Sequence, residues 1–122
     1  MISLQELNPH NYSTTPEIDA NLQILLERVN KIRDEWGKPM IVTSGLRSQA
    51  DQQRINPSAP KSHHLNGEAV DIYDPDLSLT AWLKENDSQR LVDAELWCEQ
   101  GNKDWVHFQT VPPKSGHRWF LP

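Results

Sequence analysis

Residues 62–71 read Ser-His-His-Leu-Asn-Gly-Glu-Ala-Val-Asp, and both the expected fold and the expected chemistry start from this stretch. His64 and Asp71 are seven positions apart, which on a helix would separate them by about 10 Å, too far to share a metal ion. A tight turn at Asn66-Gly67 followed by a strand instead lets His64 fold back above Asp71. The strand then presents Asp71 on one face and its apolar neighbours to the core.

A third donor lies downstream in residues 105–109, Trp-Val-His-Phe-Gln. In a strand, His107 shares one face with Trp105, while the apolar residues on either side of the histidine face the other way. His64, Asp71 and His107 from adjacent strands would form a three-ligand zinc site. A fourth position left for water is typical of catalytic rather than structural zinc.

The rest of the chain predicts an α+β fold in a single domain spanning residues 1–122. Thr15 as N-cap and Gly37 beyond the end delimit a long amphipathic helix. Strands separated by short helices and a closing hairpin indicate a small antiparallel sheet flanked by helices. We expect residues 1–14 and the tail over residues 111–122 to be irregular.

Composition excludes several classes of protein. The 122 residues carry a net charge of −5, which argues against a nucleic-acid partner. No apolar run reaches the roughly 20 residues of a membrane span, and we expect no signal peptide from the N-terminal sequence. Cys98 is the only cysteine, so no intrachain disulfide can form and a buried structural thiol is expected. With 36% hydrophobic residues the core is thin, and a bound metal would help to hold it.

The sequence resembles the zinc D-Ala-D-Ala peptidases of bacterial cell-wall metabolism and phage lysis, over about residues 20–110. Three motifs carry the resemblance. The pattern S-x-H-x-x-G-x-A-x-D is matched by Ser62, His64, Gly67, Ala69 and Asp71, W-x-H by Trp105 and His107, and S-G-x-R-S by Ser44, Gly45, Arg47 and Ser48. The resemblance implies the hedgehog/DD-peptidase fold and one zinc ion held by His64, Asp71 and His107.

Two carboxylates are candidates for the general acid/base, and the sequence leaves the choice between them open. The family places an acidic residue three positions before its last histidine. In this sequence that residue is Asp104, and the motif therefore makes it the first candidate. In an ideal strand, odd spacing puts Asp104 on the face opposite His107, and a bulge or a strand-end position would be needed to turn it inward. Glu99, across the predicted hairpin, ranks second and is better placed by geometry. A solvated acid at the hairpin tip is the alternative for both.

Four further residues are candidates for contact with substrate. Arg47 would stabilise the oxyanion of the tetrahedral intermediate or hold a substrate carboxylate, as the family's S-G-x-R arginine does. Ser62 would hydrogen-bond near the metal or end its loop, Trp105 would face the metal groove, and His63 would contact substrate or lie exposed.

The leading hypothesis is a zinc metallopeptidase that hydrolyses peptide bonds in peptidoglycan stem peptides. It would act as an endolysin-type endopeptidase or a D-Ala-D-Ala carboxypeptidase, as a monomer. A phage lysin made in the host cytoplasm and released to the wall through a holin fits the expected absence of a signal peptide. The alternatives are a non-catalytic zinc-binding phage module and a cytoplasmic D-Ala-D-Ala dipeptidase.

Overall fold

The structure is a computed structural model that describes residues 1–59 and 61–122. Along the chain the elements are helix α1 (Leu4–Leu7), helix α2 (Pro16–Trp36), strand β1 (Val42–Ser44), helix α3 (Gln49–Ile55), a 3-10 helix (His63–Asn66), strand β2 (Ala69–Asp74), helix α4 (Ser78–Ala94) and strands β3 (Trp97–Glu99), β4 (Asp104–Gln109) and β5 (Trp119–Phe120). This arrangement confirms the α+β class.

Helix α2 forms where the sequence predicts it. The Thr15 side chain accepts a hydrogen bond from the backbone N–H of Ile18 at 3.2 Å, and Pro16 occupies the first turn. Gly37 ends the helix in the left-handed conformation, with φ of 72°. The helix buries one face, formed by Leu22, Leu25, Val29 and Ile32. Spacings of three and four residues bring these side chains to one side, so the helix packs against the core.

The sheet has the order β1-β2-β4-β3-β5. Its first four strands pair antiparallel, but β5 pairs parallel to β3, so the sheet is mixed rather than wholly antiparallel as expected. Strands β2 and β4 pair with Asp71 opposite His107. This register places two of the candidate ligands side by side at the centre of the sheet.

One face of the sheet packs against the helices. Val70 and Ile72 of β2 and Val106 and Phe108 of β4 are buried there, as the alternation predicts, and Cys98 of β3 is fully buried. The opposite face of the same strands carries the polar residues of the site. The period of two in the sequence therefore separates core from chemistry.

Both terminal segments are more ordered than the sequence suggests. Residues 1–14 contain α1, and a capping box between Ser3 and Glu6 stabilises the N-terminus of this helix. In the tail over residues 111–122, Trp119–Phe120 forms β5 and completes the sheet. The expectation that these segments are irregular is wrong in these two places, because a local capping box orders α1 and pairing with β3 orders β5. In the described residues, no helix is both long and apolar enough to cross a membrane.

Candidate metal centre

Three polar side chains meet on the face of the sheet opposite the hydrophobic core. His64 comes from the 3-10 helix, Asp71 from β2 and His107 from β4, and none is more than 8% exposed. One ligand atom from each residue lies within 4.8 Å of the other two. The structure thus brings together the three residues that the sequence proposes as ligands.

Hydrogen bonds on the outer side of each imidazole decide which nitrogen carries the proton. The Nδ1 of His64 lies 2.9 Å from the carbonyl oxygen of Gly45, which can only accept. The Nε2 of His107 lies 2.9 Å from Oε1 of Gln109, and the Gln109 amide nitrogen donates to the carbonyl of Val111 at 2.7 Å. That second bond orients the amide, so His107 must donate through Nε2.

The inner nitrogens therefore present lone pairs to the carboxylate when both imidazoles are neutral. The Nδ1 of His107 lies 2.9 Å from Oδ1 of Asp71, and the Nε2 of His64 lies 3.4 Å from the same oxygen. Three acceptors facing one another need a cation or a proton between them. Two imidazole nitrogens and one carboxylate oxygen form a donor set that suits zinc, with a further position open to the cleft.

The titration behaviour of the site has the same origin. Burial raises the pKa of Asp71, but hydrogen bonds from His107 and His64 outweigh it and hold that pKa well below its usual range. Burial lowers the pKa of His107, but the hydrogen bond with Asp71 outweighs it and leaves that pKa raised. In the absence of a cation the raised pKa of His107 thus favours a proton between His107 and Asp71, which a bound metal ion would displace.

The turn at Ser44–Arg47 packs against the metal centre and holds His64 in place through hydrogen bonds. A Cβ on Gly45 would overlap the backbone carbonyl of Leu7, so only glycine fits at this position. The backbone N–H of Arg47 donates to the carbonyl of His64 at 3.1 Å. The S-G-x-R motif therefore fixes the 3-10 helix through its backbone as well as supplying a cation.

The Arg47 side chain is held by three partners. Its Nε donates to Ser44 Oγ at 2.8 Å, one terminal nitrogen donates to Gln52 Oε1 at 2.8 Å, and the other to Asp71 Oδ2 at 3.3 Å. Arg47 thus occupies one oxygen of Asp71 and leaves the other to the histidines. Burial lowers the pKa of Arg47, which nonetheless stays protonated because its reference pKa is above 12.

Gln52 is a site residue that sequence reasoning missed. It is fully buried, and its amide nitrogen donates to the carbonyl of Ala59 at 2.8 Å while its oxygen receives Arg47. Helix α3 is mostly polar, with the sequence Gln-Ala-Asp-Gln-Gln-Arg-Ile, so no local signal distinguishes this glutamine from the one that follows it. Strand alternation puts Gln109 on the same face as His107, but its bond to His107 depends on the tertiary structure.

The two candidate acids occupy different places. Glu99 lines the cleft, and its charge acts to raise the pKa of both Arg47 and His107. Asp104 is exposed, pairs with Asp74 at the end of the β2–β4 ladder and does not line the cleft. Three residues of strand separate it from His107, about 10 Å. The position of the two side chains thus favours Glu99 whereas the motif favours Asp104, and the choice between them stays a prediction.

The centre opens into a cleft of about 800 Å³. Trp105, which is 38% exposed, and Phe120 of β5 contribute aromatic walls. Ser62 lines the cleft, but its hydroxyl also accepts from the backbone N–H of His64 and caps the 3-10 helix. His63 lines the cleft as well, partly exposed, with Nδ1 3.3 Å from Oε1 of Glu68. All four candidates for contact with substrate, Arg47 included, thus border the cleft.

Comparison with known proteins gives one family and one fold. The sequence model of a family described as peptidase M15 matches residues 1–109. The crystal structure of the Serratia marcescens L-Ala D-Glu endopeptidase ChiX is similar in fold, with a TM-score of 0.56 at 21% sequence identity. The match covers 90% of this chain and 98% of that one. No curated protein matches the chain in sequence.

Proposed function

Because the chain belongs to the peptidase M15 family, we propose that it is a zinc-dependent peptidase that hydrolyses peptide bonds in peptidoglycan stem peptides. The family match confirms the resemblance that the sequence motifs indicate. The observation that carries the proposal is the convergence of one ligand atom each from His64, Asp71 and His107 at the base of an open cleft, with the outer imidazole nitrogens bonded to Gly45 and Gln109. The fold is shared with a protein named as an L-Ala D-Glu endopeptidase.

The roles of the residues follow from their positions. Zinc, when held by His64, Asp71 and His107, supplies Lewis-acid activation of a water and of the scissile carbonyl. Glu99 is placed in the cleft to accept the proton of the attacking water and return it to the leaving amine. Asp104 lies outside the cleft and is not assigned this role.

Arg47 is suited to stabilise negative charge on the substrate oxygen. A guanidinium has five N–H donors, and three of those of Arg47 are engaged by Ser44, Gln52 and Asp71. The two that remain belong to a side chain fixed at three points, which removes most of the entropy cost of ordering it. A preorganised donor of this kind is worth most in a partly buried site.

Between the two peptidase activities, we favour the endopeptidase. A carboxypeptidase needs a cation for the terminal carboxylate next to the scissile bond. Among the described residues that line the cleft, Arg47 is the only lysine or arginine, and it already pairs with Asp71. Delivery by a phage holin and a monomeric state stay predictions from the sequence.

Digestion of purified peptidoglycan with the zinc-loaded protein, followed by mass spectrometry of the fragments, tests the proposal. Cleavage within stem peptides should disappear in His64→Ala. Glu99→Gln should lose roughly 10²- to 10⁴-fold in rate while keeping zinc. Asp104→Asn removes the same charge from the same hairpin and serves as the matched control, with a rate near that of the unmodified protein.

Other outcomes would identify the alternatives. Loss of rate in Asp104→Asn with an active Glu99→Gln would reverse the assignment of the acid. Zinc binding without any product from wall fragments or from D-Ala-D-Ala would indicate a non-catalytic module. Product from D-Ala-D-Ala alone would indicate a dipeptidase.

A further inference from the structure

A second pocket of about 920 Å³ adjoins the catalytic cleft. The two share Pro113 and Phe120 as lining residues, so Phe120 of β5 borders both. We call it the basic pocket after its cations, Lys84, Lys114 and Arg118, which line it together with His117 and Trp119. None of these residues has a role in the proposed chemistry.

The charge of the basic pocket is opposite to that of the chain. The protein carries a net charge of −5, yet three of its twelve lysines and arginines line this one pocket. Asp87 is the only acidic residue among the described residues that line it. A local concentration of positive charge on an acidic protein, beside a cleft, favours binding of an anion there.

The three cations of the basic pocket differ in how many contacts they already make within the protein. Arg118 donates through Nε to the carbonyl of Leu96 at 2.8 Å, and its guanidinium lies 4.2 Å from the centroid of the Trp97 ring. It contributes positive potential from a fixed position. The Lys84 ammonium lies 4.8 Å from the Trp119 ring centroid, and Lys114 is exposed with no partner among the described residues. These two ammonium groups have N–H donors to offer a ligand.

The wall of the pocket is fixed by the fold. The indole N–H of Trp119 donates to the hydroxyl of Ser88 at 2.8 Å, and Ser88 is buried. Ser88 lies where the backbone of α4 leaves the helical conformation, over Glu85–Ser88. An aromatic ring held in this way, with a cation over its face, forms a rigid surface on which a ligand can rest.

Among the described residues, the lining of the catalytic cleft has no lysine or arginine free for a second negative charge, because Arg47 pairs with Asp71. We propose that the basic pocket binds a carboxylate of the same peptide whose scissile bond lies in the cleft. This inference rests on the proposed function, since stem peptides are extended chains with several free carboxylates. Phe120 would then lie between the scissile bond and the anchored carboxylate.

A kinetic comparison tests the proposal. The double variant Lys84→Gln/Lys114→Gln is compared with Lys31→Gln/Lys38→Gln, which makes the same change of charge outside both cavities. Lys38 is a close match for Lys84, since its ammonium also lies over a tryptophan ring, at 4.4 Å. Each protein is assayed on a stem peptide with free carboxylates and on the same peptide with the carboxylates remote from the scissile bond converted to amides.

The pocket variant should raise KM for the free-carboxylate peptide by roughly three- to tenfold, with little change in kcat, because exposed ion pairs are weak. It should leave the amide peptide unaffected, and the control variant should resemble the unmodified protein on both. An equal effect of the pocket variant on the two peptides, or none on either, would overturn the proposal.

A binding measurement separates this site from the proposed activity. In zinc-loaded Glu99→Gln protein, the Trp119 indole N–H resonance, assigned with Trp119→Phe, should shift on addition of the free-carboxylate peptide and not of its amide. A shift without any cleavage by the unmodified protein would support the pocket and refute the peptidase. Cleavage without a shift of this resonance would refute the pocket and leave the peptidase in place.

Discussion

Replacing Gln109 with leucine should weaken zinc binding although Gln109 is not a ligand. The residue is 4% exposed, and it links the Nε2 of His107 to the carbonyl of Val111 through bonds of 2.9 and 2.7 Å. Leucine removes the acceptor that holds the His107 proton on Nε2. The imidazole then either buries an unpaired N–H or moves its proton to Nδ1, where it blocks the lone pair that faces Asp71.

The structure sets the size of the effect. A buried donor left without a partner costs about 1–3 kcal/mol. At about 1.4 kcal/mol for each factor of ten, this corresponds to a loss of roughly 10- to 100-fold in zinc affinity. Leucine is close to glutamine in size and leaves the packing against neighbouring side chains largely intact, so the loss should come from the hydrogen bond.

Competition for zinc with a chromophoric chelator measures this affinity directly, without reference to activity. Gln23→Leu makes the same replacement at an exposed position of α2 and should bind zinc as the unmodified protein does. Gln109→Glu keeps an acceptor for His107 and should recover part of the affinity. Undiminished zinc binding by Gln109→Leu, or equal losses in the leucine and glutamate variants, would refute the role given to this hydrogen bond.

Three further predictions concern stability and reactivity. Zinc at a hundredfold excess over its dissociation constant should stabilise the protein by about 2.7 kcal/mol, and an unchanged melting temperature after verified zinc removal would contradict the metal assignment. In the metal-free protein, the lowered pKa of Asp71 means that its ionised form stabilises the fold above its unfolded pKa of about 3.9, and this contribution is lost as the pH falls toward the folded value. As the pH is lowered below 4, the melting temperature should therefore fall less for Asp71→Asn than for the unmodified protein. An equal dependence of the melting temperature on pH in the two proteins would contradict this role of Asp71. Burial raises the pKa of the Cys98 thiol well above its usual value, so native protein should resist alkylation at pH 8 that urea-unfolded protein undergoes rapidly, whereas comparable rates would show the thiol to be accessible.

Local patterns in the sequence predict much of this protein, because each depends on near neighbours along the chain. Thr15 and Gly37 mark the ends of α2 through capping chemistry that a few residues determine. Alternation in β2 and β4 places Asp71 and His107 on the face opposite the core, and the turn before β2 returns His64 to them. The clustering of His64, Asp71 and His107 could therefore be predicted without the tertiary structure.

The choice between Asp104 and Glu99 is one that local sequence patterns do not resolve. The motif places Asp104 first, whereas strand periodicity already turns it away from His107, and in the fold it lies at the far end of the ladder. Glu99 lies in the cleft because β3 pairs with β4 in one register and β5 adds Phe120 beside it. The hairpin loop over residues 100–103 lies next to Glu99 in the sequence, but the pairing of β3 with β5 brings in residues 119–120 and is decided only in the fold.

Only the tertiary structure identifies the residues that act through others. Gln52 holds Arg47 from a mostly polar helix, and Gln109 accepts a hydrogen bond from the outer nitrogen of His107. The basic pocket likewise gathers Lys84 from α4 with Lys114 and Arg118 from the tail, which are thirty residues apart. Hydrogen bonds and electrostatic fields depend on distance in space, and residues far apart in sequence are brought within that range only when the core has closed.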